Sequence, residues 1–177
     1  MKRMTLLFAA IAISSIAAMA QGKTLVAYFS ATGNTQRVAK QVATITGGEL
    51  YEITPAEKYT SADLDWHDNK SRSSVEMNDK SARPAIIADL ENANSYDTIF
   101  IGYPIWWNEA PRIINTFIEK YSFAGKRVIP FATSGGSSIS NSATQLRRSY
   151  PDIDWGEALL LNRATNDDIK NWIKRQQ

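Results

Sequence analysis

Three short segments of this sequence are rich in glycine and small polar residues, and their composition suits ligand binding. The first follows an apolar run, precedes a helical pattern, and reads Ser30-Ala31-Thr32-Gly33-Asn34-Thr35. Exposed N–H groups and the helix dipole favour an anion at such a helix N-terminus. The segment has no lysine, so it is not the Gly-Lys-Ser/Thr loop that binds a triphosphate with magnesium. It suits a terminal monophosphate held by neutral donors, although an ordinary Ser/Thr helix cap accounts for the same residues equally well.

Two adjacent tryptophans mark the second segment, which directly follows another apolar run. It reads Gly102-Tyr103-Pro104-Ile105-Trp106-Trp107-Asn108. An indole exposed at a strand end is a platform on which a flat ring can stack. We expect one of the two tryptophans to serve in this way and the other to pack against the helix that follows.

The third segment combines two glycines with three hydroxyl side chains and follows a further apolar run. It reads Thr133-Ser134-Gly135-Gly136-Ser137. Small residues at this position leave room for a ligand and expose backbone donors. A flexible turn would have the same composition. The prediction of a ligand-binding site therefore depends on the presence of all three segments at strand ends.

Strand and helix patterns alternate five times along the chain. Short apolar runs predict strands at 23–29, 50–53, 97–103, 127–131 and 158–161. Helical spacing is seen in Val38, Val42 and Ile45, and Thr165 followed by Asp168 predicts a capping box on the last helix. This alternation predicts a parallel sheet with helices on both faces, in which ligands bind beyond the carboxyl ends of the strands.

The polar stretch 54–96 interrupts this alternation. It is much longer than the connections of about 2–6 residues that are usual in such domains. We therefore expect it to contain one or two short helices, around 62–69 and 84–92. It is a long insertion in a single domain that covers residues 21–177.

Composition excludes several classes of chemistry. The chain has 177 residues, 44% of them hydrophobic and 21% charged, which suits a packed globular domain. It has no cysteine, so disulfides, thiolate metal sites and a cysteine nucleophile are excluded. Its one histidine, His67, leaves no multi-histidine metal site within the chain, and we expect it on the surface. We predict neither a metal site nor a catalytic residue.

The first twenty residues have the three parts of a secretory signal peptide. Lys2 and Arg3 precede an apolar stretch, and Ala18-Met19-Ala20 fits the small-x-small cleavage rule. We expect cleavage after Ala20 and export, most simply to the periplasm; an uncleaved membrane anchor is the rival interpretation. Loss of the two basic residues leaves 18 basic and 18 acidic side chains, so the mature domain has no net charge. Nothing in that balance favours nucleic acid as a partner, and the mature part shows no membrane span.

Together, the three segments resemble the flavodoxin family, most closely its bacterial flavodoxin-like branch. The resemblance covers essentially all of the mature chain. It implies an α/β flavodoxin-like three-layer sandwich with a five-stranded parallel sheet in the order 2-1-3-4-5. It also implies non-covalently bound FMN, held by residues of three loops. The residues implied at the phosphate are Ser30, Thr32, Gly33, Asn34 and Thr35. Those implied beside the ring are Pro104, Ile105, Trp106, Trp107 and Asn108 in the second loop, and Thr133, Ser134, Gly135, Gly136 and Ser137 in the third. Within the second loop, Trp106 matches the stacking tryptophan of the family.

The sequence departs from the family pattern in its third segment, which has glycines where an aromatic residue is usual. One flavin face is then open to a substrate, or the stretch 54–96 supplies a ring from Tyr59 or Trp66; we favour the view that these two anchor the insertion to the core. We expect a monomeric electron-transfer flavodoxin with an unidentified redox partner protein. The alternatives are an FMN-dependent NAD(P)H reductase of quinones or nitro compounds, and a non-redox module that has lost FMN.

Overall fold

The computed structural model describes residues 22–176, and the predicted signal peptide lies outside this range. Six strands and five α-helices follow one another along the chain. Their bounds are β1 Lys23–Tyr28, α1 Asn34–Thr46, β2 Glu49–Glu52, α2 Arg72–Asn78, β3 Tyr96–Pro104, α3 Arg112–Tyr121, β4 Arg127–Thr133, α4 Ser140–Ser149, β5 Asp154–Trp155, β6 Leu159–Leu160 and α5 Asn166–Lys174. A single 3-10 turn at Ala93–Ser95 leads into β3.

The sheet is parallel, and its strands lie in the order β2-β1-β3-β4-β5. The predicted fold class and strand order are therefore confirmed. The outer strand next to β4 is divided: β5 pairs with the start of β4, and β6 pairs with Phe131 and Ala132 near its end. The single fifth strand predicted at 158–161 corresponds only to this second piece.

Both faces of the sheet are buried, which produces three layers. Along β1, Leu25 and Ala27 belong to one apolar cluster, and Val26 and Tyr28 to the other. This is the alternation that a pleated strand imposes. Helices α3 and α4 pack into the first cluster, and α1 and α5 into the second. The apolar runs in the sequence are explained by this two-sided burial.

The stretch between β2 and β3 differs from the sequence prediction. Its helix is α2, which starts after the predicted range 62–69, and 84–92 contains no helix. Turns occupy 62–69 because Asp65 and Asp68 accept hydrogen bonds from backbone N–H groups two residues on, which competes with helix formation. Around Ile86 the chain is extended and forms an antiparallel bridge with Pro55.

The last helix begins with the predicted capping box. Thr165 Oγ1 accepts from the Asp168 N–H at 3.2 Å, and the Asp168 carboxylate accepts from the Thr165 N–H at 2.9 Å. The Thr165 hydroxyl also donates to the Asp168 carboxylate at 2.7 Å, and this bond, together with that from the Thr165 N–H, holds the pKa of Asp168 below its ordinary value. Among residues 22–176, no helix has the length and apolar character needed to cross a membrane.

Gly102 in β3 makes room for an aromatic ring of the neighbouring strand. A Cβ atom at this position would overlap the ring of Phe131, which is fully buried against Trp172. Gly102 is thus required by packing between strands, close to the point where β3 leaves the sheet.

We predict that Gly102→Ala lowers the free energy of unfolding by about 1–3 kcal/mol, because the added methyl group overpacks the core. The measurement is urea unfolding, read from the midpoint at unchanged slope. Gly136→Ala is the matched control, since a Cβ there meets no atom within 4 Å. Equal effects of the two substitutions would contradict the packing role of Gly102.

Candidate functional site

A cleft lies beyond the carboxyl ends of β1, β3 and β4, where the three predicted loops meet. It consists of two overlapping cavities of ≈ 490 and ≈ 530 Å³ that share Thr32, Ile105, Trp106 and Gly135 among their walls. The first cavity extends to Arg37, and we name it the Arg37 end. The second extends to Trp66 and Trp107, and we name it the tryptophan end. Cavities of this size accommodate a cofactor-sized ligand.

The first loop leaves the start of α1 without a side-chain cap. Gly33 is the N-terminal cap residue and adopts a left-handed conformation with φ 85°, and no side chain accepts from the first turn. The hydroxyl of Ser30 accepts from the Gly33 N–H at 3.1 Å, and the Asn34 amide donates to Thr32 Oγ1 at 3.3 Å. Helices α5 and α2 are capped by Thr165 and Ser71, whereas α3 and α4, like α1, have no side-chain cap. The uncapped N-terminus of α1 faces the cleft, where an anion would find N–H donors.

A buried hydrogen bond joins the first loop to the third. The hydroxyls of Thr35 and Thr133 lie 2.8 Å apart, and both residues are almost fully buried. The Thr35 side chain therefore points into the protein, and the contribution of this residue to an anion site is its backbone N–H. The second loop joins the same point, because the Ile105 N–H donates to the Thr133 carbonyl at 2.8 Å.

Trp106 is held by aromatic rings on both the core and the insertion. Its ring lies 5.5 Å from that of Phe29 and 5.3 Å from that of Tyr59, edge to face in both cases. Phe29 and Tyr59 also contact each other, with ring centroids 5.7 Å apart. The prediction that Tyr59 anchors the insertion to the core is confirmed. Trp106 also packs against the apolar cluster to which α3 contributes. The expectation that one of the two tryptophans packs on that helix stays a prediction.

Charged groups of the insertion fix Tyr59 in turn. Its hydroxyl donates to Glu76 at 2.6 Å, Arg72 pairs with Glu76 at 2.7 Å, and the Arg72 guanidinium lies 4.0 Å above the Tyr59 ring. Burial, with the hydrogen bond to Glu76, raises the pKa of Tyr59 far above its ordinary value. The Tyr59 hydroxyl is thus a stable donor to Glu76, and this bond joins the ring that contacts Trp106 to α2.

Trp107 and Asn108 form a tight turn in a strained conformation. Their φ values are 46° and 64°, and hydrogen bonds in both directions close the turn between Trp106 and Glu109. A bulky residue with positive φ is uncommon and marks a position under structural constraint. The turn leaves Trp107 45% exposed, at the wall of the tryptophan end. Asn108 does not line the cleft; its carbonyl accepts from the Asn141 amide at 2.9 Å.

The third loop is shaped by its own serine and by a distant asparagine. Ser134 Oγ accepts from the N–H groups of Gly136 and Ser137, at 3.1 and 2.8 Å. Asn162 pairs with the backbone of Ser134 on both sides: its Oδ1 accepts from the N–H at 2.7 Å, and its Nδ2 donates to the carbonyl. These hydrogen bonds fix the conformation of the loop, which disfavours the flexible-turn interpretation.

The structure places most of the predicted residues on the cleft wall. From the first two loops these are Thr32, Asn34, Pro104, Ile105, Trp106 and Trp107. From the third loop they are Thr133, Ser134, Gly135, Gly136 and Ser137. The remaining four do not line the cleft but fix the loops through hydrogen bonds or backbone conformation, and these are Ser30, Gly33, Thr35 and Asn108.

Arg37 and Asn162 were not among the predicted binding residues, yet they line the cleft. Trp66, which the sequence offered as one source of a ring from the stretch 54–96, lines it as well. Arg37 follows Gly33 by one helical turn, and that spacing could have indicated it. Its guanidinium donates to the Asn162 carbonyl at 3.4 Å and to Gln41 at 3.3 Å. Asn162 carries no local signal, because it reaches the cleft only through the fold. Trp66 is 67% exposed, so the prediction that it anchors the insertion is wrong.

The two ends of the cleft differ in electrostatic character. Arg37 is the one charged side chain on the walls of the two cavities within the described range. It lies at the same end as the uncapped helix, so both favour a negative group there. Across residues 22–176, no cluster of His, Asp or Glu side chains is placed to hold a metal ion. His67 is exposed, as predicted, and stacks on the neighbouring Trp66.

We predict that Thr133→Val lowers the free energy of unfolding by about 1–3 kcal/mol, because it leaves the Thr35 hydroxyl buried without a partner. The double substitution Thr35→Val with Thr133→Val removes both hydroxyls and should restore most of that loss. Thermal and urea unfolding of the wild type, of the single variants Thr133→Val and Thr35→Val, and of the double variant complete a double-mutant cycle. Additive losses would show that the hydroxyl pair is not coupled.

Comparison with known proteins agrees with the fold. Residues 23–176 match the profile of the flavodoxin family. A candidate flavoprotein from Bacteroides eggerthii is 60% identical over 87% of this chain and 97% of its own, with a TM-score of 0.85. Another from Bacteroides uniformis is 64% identical over 86% and 98%, with a TM-score of 0.84.

A flavoprotein from Lactobacillus acidophilus, solved in complex with FMN, shares the fold at 22% identity. The match covers 99% of that protein and 86% of this chain, with a TM-score of 0.70. Proteins of curated function gave no match. The family profile covers all but the first of the described residues, two Bacteroides structures are at least 60% identical, and the chain belongs to the flavodoxin family.

Proposed function

We propose that this protein binds FMN and transfers electrons outside the cytoplasm. The observation that carries the proposal is the difference in charge between the two ends of the cleft. One end combines an uncapped helix N-terminus with Arg37, and the other is lined by tryptophans and uncharged groups. FMN has the same division, since it joins a phosphate dianion to a flat ring that is uncharged in its oxidised form.

The Arg37 end offers the groups that a phosphate needs. The backbone N–H groups that follow Gly33 are the donors at the helix N-terminus, with the hydroxyl of Thr32 beside them. Arg37 adds a full positive charge and donors that its two observed hydrogen bonds do not exhaust. The sequence predicted neutral donors alone; the structure adds this charge to them.

The tryptophan end offers walls for the ring. Trp106 is fixed by Phe29 and Tyr59, so an aromatic ring stacking on it would meet a preorganised surface. Gly135 and Gly136 leave space opposite, since a Cβ at either position meets no atom within 4 Å. When bound, a flavin accepts and donates electrons, and the protein supplies its orientation and surroundings. That division of labour suits a cleft lined by aromatic and small polar residues.

Export rests on the leader pattern of residues 1–20. The proposal places the mature chain, beginning at Gln21, in the periplasm. Mass spectrometry of the N-terminus of the protein purified from a periplasmic fraction tests this step. Retention of the apolar leader in a membrane fraction would support an anchor instead.

We predict that the mature protein, from Gln21 onward, quenches FMN fluorescence with a one-to-one endpoint. Stacking on an indole is the physical cause, so Trp106→Ala should lose most of the quenching and weaken binding. Trp155→Phe is the control, because Trp155 donates to the Tyr150 carbonyl and lies outside the cleft walls. A folded protein that leaves FMN fluorescence unchanged would favour the non-redox module.

The FMN-loaded protein also separates a carrier from an enzyme. A carrier oxidises NADH and NADPH no faster than free FMN does, with or without a quinone. Sustained, protein-dependent oxidation of either nucleotide would contradict the carrier role and favour a reductase.

We predict that Arg37→Gln weakens FMN binding by about 10- to 100-fold and leaves riboflavin binding unchanged. A hydrogen bond to a charged group is worth about 1.5–3 kcal/mol, and only FMN has the phosphate that Arg37 would meet. Lys40→Gln is the matched control, since it removes the same charge from an exposed position one turn further along α1. Both dissociation constants are measured by fluorescence titration. Equal losses for FMN and riboflavin would contradict the assignment of the phosphate to this end.

A further inference from the structure

Trp66 is the most exposed large apolar side chain in the described part of the chain, and it lies on the wall of the tryptophan end. It comes from the insertion between β2 and β3. Trp107 is also exposed on the wall of the same cavity, and exposed apolar groups that share one cavity wall mark a binding surface. Nothing in the packing of the core requires an indole at position 66.

The segment that carries Trp66 is fixed by hydrogen bonds. The Asp63 carboxylate accepts from both the N–H and the hydroxyl of Thr60, each at 2.8 Å. The Asp63 carbonyl accepts from the Ser73 N–H at 2.9 Å, which ties the segment to α2. The His67 ring lies 3.5 Å from that of Trp66, measured between centroids. Trp66 therefore lies on a segment whose conformation is fixed by hydrogen bonds.

The surroundings of Trp66 select for a flat, uncharged ligand. The wall residues of this cavity include no charged side chain; Leu64 and Ser73 contribute from the insertion, and Gly135 and Gly136 from the third loop. The third loop itself contributes no aromatic ring. A planar ring that enters the tryptophan end thus meets Trp66, Trp106 and Trp107 as its aromatic contacts.

We propose that Trp66 is a stacking wall for a planar, uncharged ring in the tryptophan end of the cleft. The proposal rests on the proposed function and deepens it, because it assigns the insertion a part in ligand binding. Two ligands share this chemistry: the ring of the flavin itself, and a flat aromatic electron acceptor such as a quinone. The anchor of the insertion is a different residue, Tyr59, which is half-buried against Trp106.

The test compares Trp66→Ala and Trp66→Phe with the wild type in two titrations. The first measures the dissociation constants of FMN and riboflavin. The second measures the binding of menadione, a neutral naphthoquinone, to the oxidised FMN-loaded protein by difference absorbance. Val75→Ala is the matched control, since Val75 is exposed on the same insertion and lies outside the cleft walls. Thermal unfolding of each variant verifies that the domain is folded.

If Trp66 stacks on the flavin, Trp66→Ala weakens FMN and riboflavin equally, by about 5- to 100-fold, as expected for loss of an aromatic stacking partner. If it stacks on an acceptor, the flavin constants stay unchanged and menadione binding weakens by a similar factor. In either case Trp66→Phe retains most of the affinity, because it keeps a ring. Unchanged binding of all three ligands by folded Trp66→Ala would overturn the proposal. Absence of flavin binding by the wild type would instead contradict the proposed function, so the two failures are distinguishable.

Discussion

Parallel pairing of the three central strands determines where the loops that form the cleft can lie. Tyr28, Gly102 and Phe131 lie side by side in β1, β3 and β4, so the three strands end at nearly the same level. Three loops distant in sequence therefore begin together at one edge of the sheet. Gly102 is the constraint within this row, since the ring of Phe131 occupies the space of its missing Cβ. A cleft at this edge follows from the register of the strands, before any functional side chain is considered.

The loops that meet there are joined by hydrogen bonds to one residue. Thr133 pairs with Thr35 through its hydroxyl and accepts from the Ile105 N–H through its carbonyl. All three loops are thus held at fixed distances around the end of β4. Ser134 continues the network to Asn162, which also accepts from Arg37. The position of the cationic group is therefore coupled to the shape of the loop across the cleft, and a preorganised site of this kind binds its ligand with a smaller loss of conformational entropy.

The sequence was sufficient to predict the elements that obey local rules. The parallel sheet follows from two-sided apolar runs, and the capping box of α5 follows from Thr165 and Asp168. The loops could be predicted because glycine and hydroxyl residues occur directly after strands. The stretch around 62–69 could not, because aspartate side chains compete for backbone N–H groups and produce turns where a helix was expected. Asn162 could not be found either, since only the folded chain brings it to Ser134.

The two aromatic residues of the insertion show why composition alone does not assign roles. Tyr59 and Trp66 are separated by six residues, and the sequence offers no reason to treat them differently. The fold gives them different surroundings. The Tyr59 hydroxyl donates to Glu76 and its ring contacts Arg72, so the side chain is half-buried with its polar group satisfied. Trp66 lies beyond this network, on turns that direct it to the cleft wall. Burial of one ring stabilises the back of the site, and exposure of the other leaves a surface on which a ligand can stack.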